Sequence, residues 1–294
     1  MKMKIPDYKP TSNHVHLSDK GEWTIKILST SHKCESPCYL VFKMHILFVP
    51  GDTLIELSVE IRPTEISLSA TDNITPPTSM ALIKSVEVGP YPMSVHSYDN
   101  KIYLGQYNSC DLLRYDLGLS GGEVLLTGNS DVTSVQAYND ELYVWFAQKD
   151  LINVYDMTGE LKRSWKHYCR SKDFNKLRVL SNRVVVPNAQ NQALTVYNLH
   201  GHQLRQIKCP GFRKRGSHKA MAVCGDDSVV VSEYETNSVF RVNINSCEVM
   251  WMSKHVQYPQ GVVCYKNRYV LVTSHNTDTR IWILDAGTGG LLSQ

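Results

Sequence analysis

The sequence predicts an all-β protein whose main domain is a β-propeller, and two observations carry this prediction. First, a unit of two strands joined by a polar loop and ended by Asp or Asn recurs along the chain. The terminal positions are Asp116, Asp156, Asn198, Asn243 and Asp285, so the steps are 40, 42, 45 and 42 residues. Second, each repeat contains four short strand-like segments, which is typical of a propeller blade.

The second repeat displays the four segments most clearly. They are residues 132–138, 142–146, 152–155 and 161–165, with a turn built on Asp156 and Gly159 between the last two. A tight polar turn separates the first two segments of every repeat. These turns are predicted at Asp99-Asn100, Asn139-Asp140, Ser181-Asn182, Asp226-Asp227 and Lys266-Asn267. One blade cannot bury both of its faces, so we expect the blades to stack around an axis.

The chain before the repeats divides into three parts by composition. Residues 1–20 are polar and predict an irregular N-terminus, whereas residues 21–61 alternate like strands and predict a partial β-sandwich. Residues 62–80 are rich in Pro, Ser and Thr and predict a linker. The propeller is expected to occupy residues 81–294.

The end of the chain leaves the number of closed blades open. Five repeats are visible, and little sequence follows Asp285 to supply the outer strand of the last one. Residues 82–88 could supply that strand and close a ring of five blades. The alternative is a six-bladed domain that is truncated in this chain. We favour closure by residues 82–88.

Composition indicates a soluble protein. Mean hydropathy is -0.27, and the longest apolar run, residues 38–50, is too short and too polar to span a bilayer. The N-terminus lacks the apolar segment of a secretory signal, so we expect a cytoplasmic protein that is not bound to membranes. Most of the eight cysteines stand singly in the sequence. We therefore expect small buried thiols in a reducing compartment.

Two motifs resemble a known repeat family. The segments beginning at Tyr91-Pro92 and Tyr258-Pro259 resemble the start of NHL-type propeller repeats, and those beginning at Tyr155-Asp156 and Tyr197-Asn198 resemble their closing turn. Residues 21–61 resemble the C-terminal half of a filamin-type immunoglobulin repeat; the alternative is a small β-rich extension of the propeller. The two together resemble the C-terminal part of tripartite-motif (TRIM) NHL proteins.

In that family, RING and B-box modules carry ubiquitin-ligase activity, and the propeller recognises protein or RNA partners. This sequence contains no RING, no B-box and no Asn-His-Leu triplet. The resemblance therefore implies a non-enzymatic recognition module, with ligase activity only if a RING-bearing N-terminus precedes this chain.

The candidate binding residues lie in the connections between blades. In a propeller these connections emerge on the same face as the loops between second and third strands, and that face commonly binds ligands. Basic and aromatic residues cluster in three connections. They are Arg170, Lys172, Phe174, Lys176, Phe212, Arg213, Lys214, Arg215, Lys219, Lys254 and Tyr258. We expect this set to bind a protein, with RNA as the alternative ligand because cations hold phosphates and aromatic rings stack on bases.

A third function class is a metal-dependent propeller hydrolase or lactonase. Gln106, Asn188, Glu233 and His275 follow second strands at steps that could place them near the channel mouth. Asn188 and Glu233 are weak candidates for metal ligands, because only one of the four residues is a carboxylate. The sequence contains no nucleophile motif and no Walker loop. We therefore expect no catalytic residues, no cofactor and no small-molecule substrate.

Overall fold

The computed structural model describes the chain unevenly along its length. For the first 93 residues it describes only the backbone of six strands. From Ser94 onwards it describes side chains as well, apart from residues 107–109, 118–120, 129, 170–175, 214–218, 275–280 and 294, and apart from the side chains of 147 and 293.

The described residues form 25 strands and one 3-10 turn, Ala147–Lys149. The first five strands make one antiparallel sheet. They are β1 (Ser12–Ser18), β2 (Glu22–Leu28), β3 (Phe42–Phe48), β4 (Thr53–Ile61) and β5 (Ser79–Glu87).

The other twenty described strands make five four-stranded antiparallel sheets, each running in chain order from its inner to its outer strand. Blade 1 contains β6 (Pro92–Tyr98), β7 (Lys101–Gln106), β8 (Asp111–Asp116) and β9 (Glu123–Thr127), and blade 2 contains β10 (Ser134–Tyr138), β11 (Glu141–Phe146), β12 (Leu151–Asp156) and β13 (Leu161–Lys166). Blade 3 contains β14 (Arg178–Leu180), β15 (Arg183–Asn188), β16 (Ala193–Asn198) and β17 (Gln203–Lys208), and blade 4 contains β18 (Lys219–Val223), β19 (Ser228–Glu233), β20 (Ser238–Asn243) and β21 (Glu248–Ser253). Blade 5 contains β22 (Pro259–Tyr265), β23 (Tyr269–Ser274), β24 (Ile281–Asp285) and β25 (Leu291–Ser293). The prediction of an all-β propeller with five four-stranded repeats is confirmed.

The predicted turns between first and second strands are present. Both residues of Asp99-Asn100, Asn139-Asp140, Ser181-Asn182 and Lys266-Asn267 have positive φ. This is the backbone of a type I′ hairpin turn, which Asn and Asp tolerate better than other residues with a side chain. Blade 4 differs, because there the positive φ falls on Gly225.

In blades 2 to 5, the Asp or Asn that ends the third strand organises the following turn. In blade 2, the Oδ1 atom of Asp156 accepts hydrogen bonds from the backbone N–H groups of Thr158 at 2.9 Å and Glu160 at 3.0 Å. The Oδ1 atom of Asn198 does the same in blade 3. The repeated Asp or Asn is therefore a structural residue of the blade.

The glycine of the same turn makes room for the preceding blade. A Cβ atom built on Gly201 would lie 2.5 Å from the ring of Trp165, and one built on Gly289 would lie 2.5 Å from the ring of Trp251. Each tryptophan comes from the outer strand of the blade before. These two glycines therefore allow the outer edges of neighbouring blades to pack closely.

Hydrogen bonds and apolar side chains join neighbouring blades. The side-chain amide of Gln136 both donates to the carbonyl of Val179 and accepts from its N–H, at 3.0 and 2.9 Å. The core lies between the sheets. For example, Val196 of blade 3 and Phe240 of blade 4 belong to one buried cluster.

The predicted closure of the last blade is wrong. In blade 5, β24 pairs with β25, and Leu284 lies opposite Leu291. Strand β5, which contains most of residues 82–88, pairs instead with β4. The last blade therefore takes its outer strand from the end of the chain. The three residues of β25 are enough to complete blade 5, because an outer strand pairs with a neighbour along only one edge.

The N-terminal sheet lies next to the propeller, where β1 contacts β6 of the first blade and β22 of the last. Ser12–Ser18 is a strand in the structure, whereas the composition predicted an irregular chain there. Residues 62–78 of the predicted linker lie outside the described residues. The filamin-like interpretation stays a prediction.

Not all of the described cysteines are the small buried thiols that the sequence predicted. Cys224 and Cys264 form a disulfide between blades 4 and 5, with Cα atoms 5.3 Å apart. Cys169 and Cys209 are buried and outside any disulfide, as predicted, whereas Cys247 is outside any disulfide but exposed. The spacing of the cysteines in the sequence did not reveal this disulfide, because Cys224 and Cys264 are 40 residues apart and meet only when the blades stack.

We expect that replacing both Cys224 and Cys264 by alanine lowers the free energy of unfolding. The bond closes a loop with a sequence separation of 40 residues, so the loss should be about 2–4 kcal/mol. Denaturant unfolding with and without dithiothreitol measures it. Reductant should destabilise the wild type and leave the double variant unchanged. Equal sensitivity of both proteins to reductant would contradict the expectation.

Candidate functional site

The predicted binding set separates into three groups. Arg170, Lys172, Phe174, Lys214 and Arg215 lie outside the described residues. Arg213, Lys254 and Tyr258 are exposed. Lys176, Phe212 and Lys219 are buried, so their prediction as surface contacts is wrong.

Phe212 is buried because its connection folds back into the core between blades 3 and 4. Its ring packs against Phe240, with ring centroids 5.3 Å apart. Its carbonyl accepts a hydrogen bond from Gln192 Nε2 at 2.6 Å. Phe212 therefore holds the connection in place and has no surface left for a partner.

Lys176 and Lys219 are buried because they stand at the entrance to inner strands. The ammonium of Lys176 donates to the carbonyl of Thr133 at 3.0 Å, which joins blades 3 and 2. Lys219 lies opposite Glu233 in the β18–β19 register, and its Nζ is 3.2 Å from Glu233 Oε2. Burying these charges requires such partners.

The exposed members of the set lie in the two connections that flank blade 4. We call the group Arg213, Tyr234, Glu235, Lys254 and Tyr258 the blade-4 loop surface. The rings of Tyr234 and Tyr258 have centroids 5.3 Å apart at an angle of 43°. Beside them, Arg213 Nη1 is 2.8 Å from Glu235 Oε2. Tyr258 is 42% exposed, so part of this aromatic pair faces solvent.

Hydrogen bonds fix the backbone of the blade-4 loop surface. The turn between β19 and β20 is tied to both neighbouring connections. Thr236 Oγ1 donates to the carbonyl of Gly211 at 3.0 Å, and the N–H of Tyr258 donates to Asn237 Oδ1 at 2.7 Å. Since Tyr258 has a φ of 47°, the second bond also holds an uncommon backbone conformation. The surface is therefore organised before any partner binds.

Tyr234 and Glu235 are the members that the sequence prediction missed. They follow the second strand of blade 4, and loops at that position lie on the same face as the connections between blades. This topological signal was sufficient to find them. The prediction omitted both residues because it considered only the basic connections between blades and not the loops between second and third strands.

The weak metal candidates do not form a cluster. Asn188 Oδ1 accepts the N–H of Asn191 at 3.1 Å, and Glu233 pairs with Lys219. Burial raises the pKa of Glu233 to about 7, and the nearby ammonium opposes this rise. His275 lies outside the described residues. Within the residues that the structure describes, no three His, Cys, Asp or Glu side chains are grouped so that they could hold a metal ion.

In the described part of the chain, no helix has the length and apolar character needed to cross a membrane.

No protein-family model matches the sequence, and no curated protein sequence matches it. Solved structures are similar in fold. The structure of a nidogen/laminin complex has a TM-score of 0.59 and 12% identity, covering 85% of this chain and 92% of that one. BamB from Moraxella catarrhalis has a TM-score of 0.51 and 12% identity, covering 89% and 78%. The computationally designed protein Ika8 has a TM-score of 0.52 and 13% identity, covering 98% and 88%.

These likenesses support the β-propeller fold and, at such low identity, the fold alone. The class of protein that fold and surface together define is a β-propeller with an ordered aromatic and charged loop surface on blade 4.

Proposed function

We propose that the protein is a non-enzymatic recognition module whose blade-4 loop surface docks a protein partner. The observation that carries the proposal is the partly exposed Tyr234–Tyr258 pair beside the Arg213–Glu235 ion pair. Tyr and Arg are the residue types that most often dominate binding energy at protein interfaces. The fold is consistent with this role, and one similar propeller was solved in a nidogen/laminin complex.

The fixed turn favours binding further. Association costs free energy when loops and side chains must be ordered. Here Thr236 and Asn237 already tie the turn to its neighbours. The rings of Tyr234 and Tyr258 also restrict each other. A partner therefore meets a surface whose ordering cost is small.

The charges favour a protein over RNA. RNA binding would need several exposed cations to neutralise phosphates. Among the described residues of the predicted set, Lys176 and Lys219 are buried, and Arg213 is paired with Glu235. Lys254 remains as an exposed cation. RNA is therefore the second candidate, and its test depends on the connection that contains Lys214 and Arg215.

We extend the proposal to a substrate-recognition role like that of the propellers in TRIM-NHL proteins, in the cytoplasm. Any ubiquitin-ligase chemistry would have to come from a RING that this sequence does not contain. The metal-dependent hydrolase is the third candidate. It is disfavoured because Lys219 occupies the position next to Glu233 where a metal ion would need to bind.

A photo-crosslinking experiment tests the protein-docking proposal. A benzophenone amino acid is placed at Tyr258, or at Met250 as the matched control. Met250 is exposed on the outer strand of the same blade. We expect a protein to be captured from position 258 and not from 250. The captured protein is then purified and its Kd measured with wild type, Tyr258→Ala, Arg213→Ala and Met250→Ala.

Tyr258→Ala should weaken binding at least about tenfold, since loss of a central aromatic contact costs more than about 1.4 kcal/mol. Met250→Ala should bind like the wild type. An equal effect of the two substitutions would contradict the proposal. A parallel titration uses single-stranded RNA over a salt series. Salt-sensitive RNA binding that is lost in Arg213→Ala/Lys214→Ala/Arg215→Ala would favour the RNA alternative.

A further inference from the structure

A second surface lies in a groove between the outer strands of blades 2 and 3. The groove holds about 460 Å³, which falls within the roughly 300–1,000 Å³ of small-molecule sites. Residues 166–168, which end β13 and follow it, form one wall. Strand β17 and the turn after β15 form the other. It shares no residue with the blade-4 loop surface.

Amide side chains dominate the lining of this groove. They are Asn188, Gln190, Asn191, Gln203 and Gln206. Each amide offers both donors and an acceptor. Asn191 Nδ2 donates to Gln206 Oε1 at 3.3 Å, which aligns two of them. Among the described residues, no hydrogen-bond partner occupies the Oδ1 atom of Asn191 or the Nε2 atom of Gln206, so both can bind a ligand.

Tyr197 adds an oriented acceptor to the groove. His167 Nε2 lies 3.1 Å from the carbonyl of Pro187, so this nitrogen must be the donor. Burial lowers the pKa of His167 to about 4, so the ring is neutral and its Nδ1 accepts a hydrogen bond. The hydroxyl of Tyr197, 2.8 Å away, therefore donates to Nδ1. Its oxygen keeps the capacity to accept a hydrogen bond from a ligand.

The lining also excludes other ligand classes. Among the described residues that line it there is no carboxylate, so they offer a cation no counter-charge, and Lys166, the one cation among them, is too little for a polyanion. These described lining residues also include no aliphatic side chain, so they form no pocket for an apolar side chain of a peptide. The ring of Tyr168 is 64% exposed at the rim, with the ammonium of Lys166 5.9 Å from its centroid, so part of the ring stays open to a ligand. Many neutral donors and acceptors beside one aromatic face match a sugar ring.

We propose that the groove between blades 2 and 3 binds a neutral carbohydrate. The hydroxyl groups of a sugar are both donors and acceptors, as are the amides of Gln203 and Gln206. The C–H face of the sugar ring packs on Tyr168. This proposal is independent of protein docking at the blade-4 loop surface.

Calorimetric titration of the full chain with maltose, cellobiose and lactose tests the proposal. We expect saturable binding of at least one disaccharide. Tyr168→Ala and Gln206→Ala should each weaken it at least about tenfold, a cost of about 1.4 kcal/mol. Tyr168→Phe should retain most of the affinity, because the ring face remains. Both side chains are exposed, so the variants should fold like the wild type.

Tyr258→Ala is the matched control and should bind sugar like the wild type. This control separates failure of the carbohydrate site from failure of the docking surface. Absence of binding by every disaccharide up to about 10 mM, tenfold above a Kd of about 1 mM, would overturn the proposal. Unchanged binding in Tyr168→Ala and Gln206→Ala would overturn it as well, since the sugar would then bind elsewhere. The proposal would also be overturned if an uncharged peptide bound to the groove and none of the sugars did.

Discussion

Replacing Phe212 by alanine is expected to lower the free energy of unfolding by about 3–5 kcal/mol. The side chain is 1% exposed and lies in the core cluster shared by blades 3 and 4. Its removal would leave a cavity beside Phe240, whose ring centroid is 5.3 Å away. It would also remove the ring under the ammonium of Lys219, which lies 5.2 Å from the ring centroid. The loss should therefore exceed the transfer free energy of the side chain alone.

Urea unfolding at pH 7 measures this loss, with Tyr258→Ala as the control. Both aromatic residues belong to connections between blades, but Tyr258 is 42% exposed. Tyr258→Ala should cost no more than about 1 kcal/mol. Phe212→Leu should cost less than Phe212→Ala, because leucine refills much of the cavity. If Phe212→Ala unfolds at the same urea concentration as the wild type, the assignment of Phe212 to the core is wrong.

The elements that were predictable from sequence are those set by local chemistry. The pairs Asn139-Asp140 and Ser181-Asn182 specify their turns because few other residues tolerate two consecutive positive φ values. Asp156 and Gly159 specify the turn after the third strand of blade 2. The side chain of Asp156 caps this turn, and Gly159 has no Cβ atom to obstruct it. Since these signals recur at a fixed period, they also predicted the stacking of blades.

The features that were not predictable depend on contacts between blades. Lys219 and Arg213 are both cations in one connection, yet the first is buried and the second is 58% exposed. The difference follows from register, because Lys219 is the first residue of an inner strand and meets Glu233 across it. The Cys224–Cys264 bond and the Tyr234–Tyr258 pair likewise join different blades. A repeat pattern gives the number of blades without giving the side chains that meet between them.

The second large expected effect is a dependence of the free energy of unfolding on pH, and it arises from the Lys219–Glu233 pair. Both side chains are fully buried, and burial raises the pKa of Glu233 from 4.5 to about 7 in spite of Lys219. The folded protein therefore holds a proton on Glu233 that the unfolded chain releases above about pH 4.5. Stability from this group is greatest below that pH and falls as pH rises to about 7, where it levels off.

Lys219→Met removes the ammonium and keeps most of the volume of the side chain. Without its partner, the carboxylate of Glu233 is still harder to form, so its pKa rises further. The fall in stability should then continue above pH 7, at about 1.4 kcal/mol per pH unit. Compared with the wild type, the variant should lose less than about 1 kcal/mol near pH 6 and about 3 kcal/mol at pH 9, within the range for a broken buried pair.

Urea unfolding of both proteins between pH 6 and pH 9 tests this expectation. Adding Glu233→Gln to Lys219→Met should abolish the additional loss at high pH, because the amide does not ionise. Lys208→Met replaces an exposed lysine of blade 3, and its cost should stay within about 0.5 kcal/mol over the whole range. A loss in Lys219→Met that is the same at pH 6 and pH 9 would show that the lysine acts through packing and not through its charge.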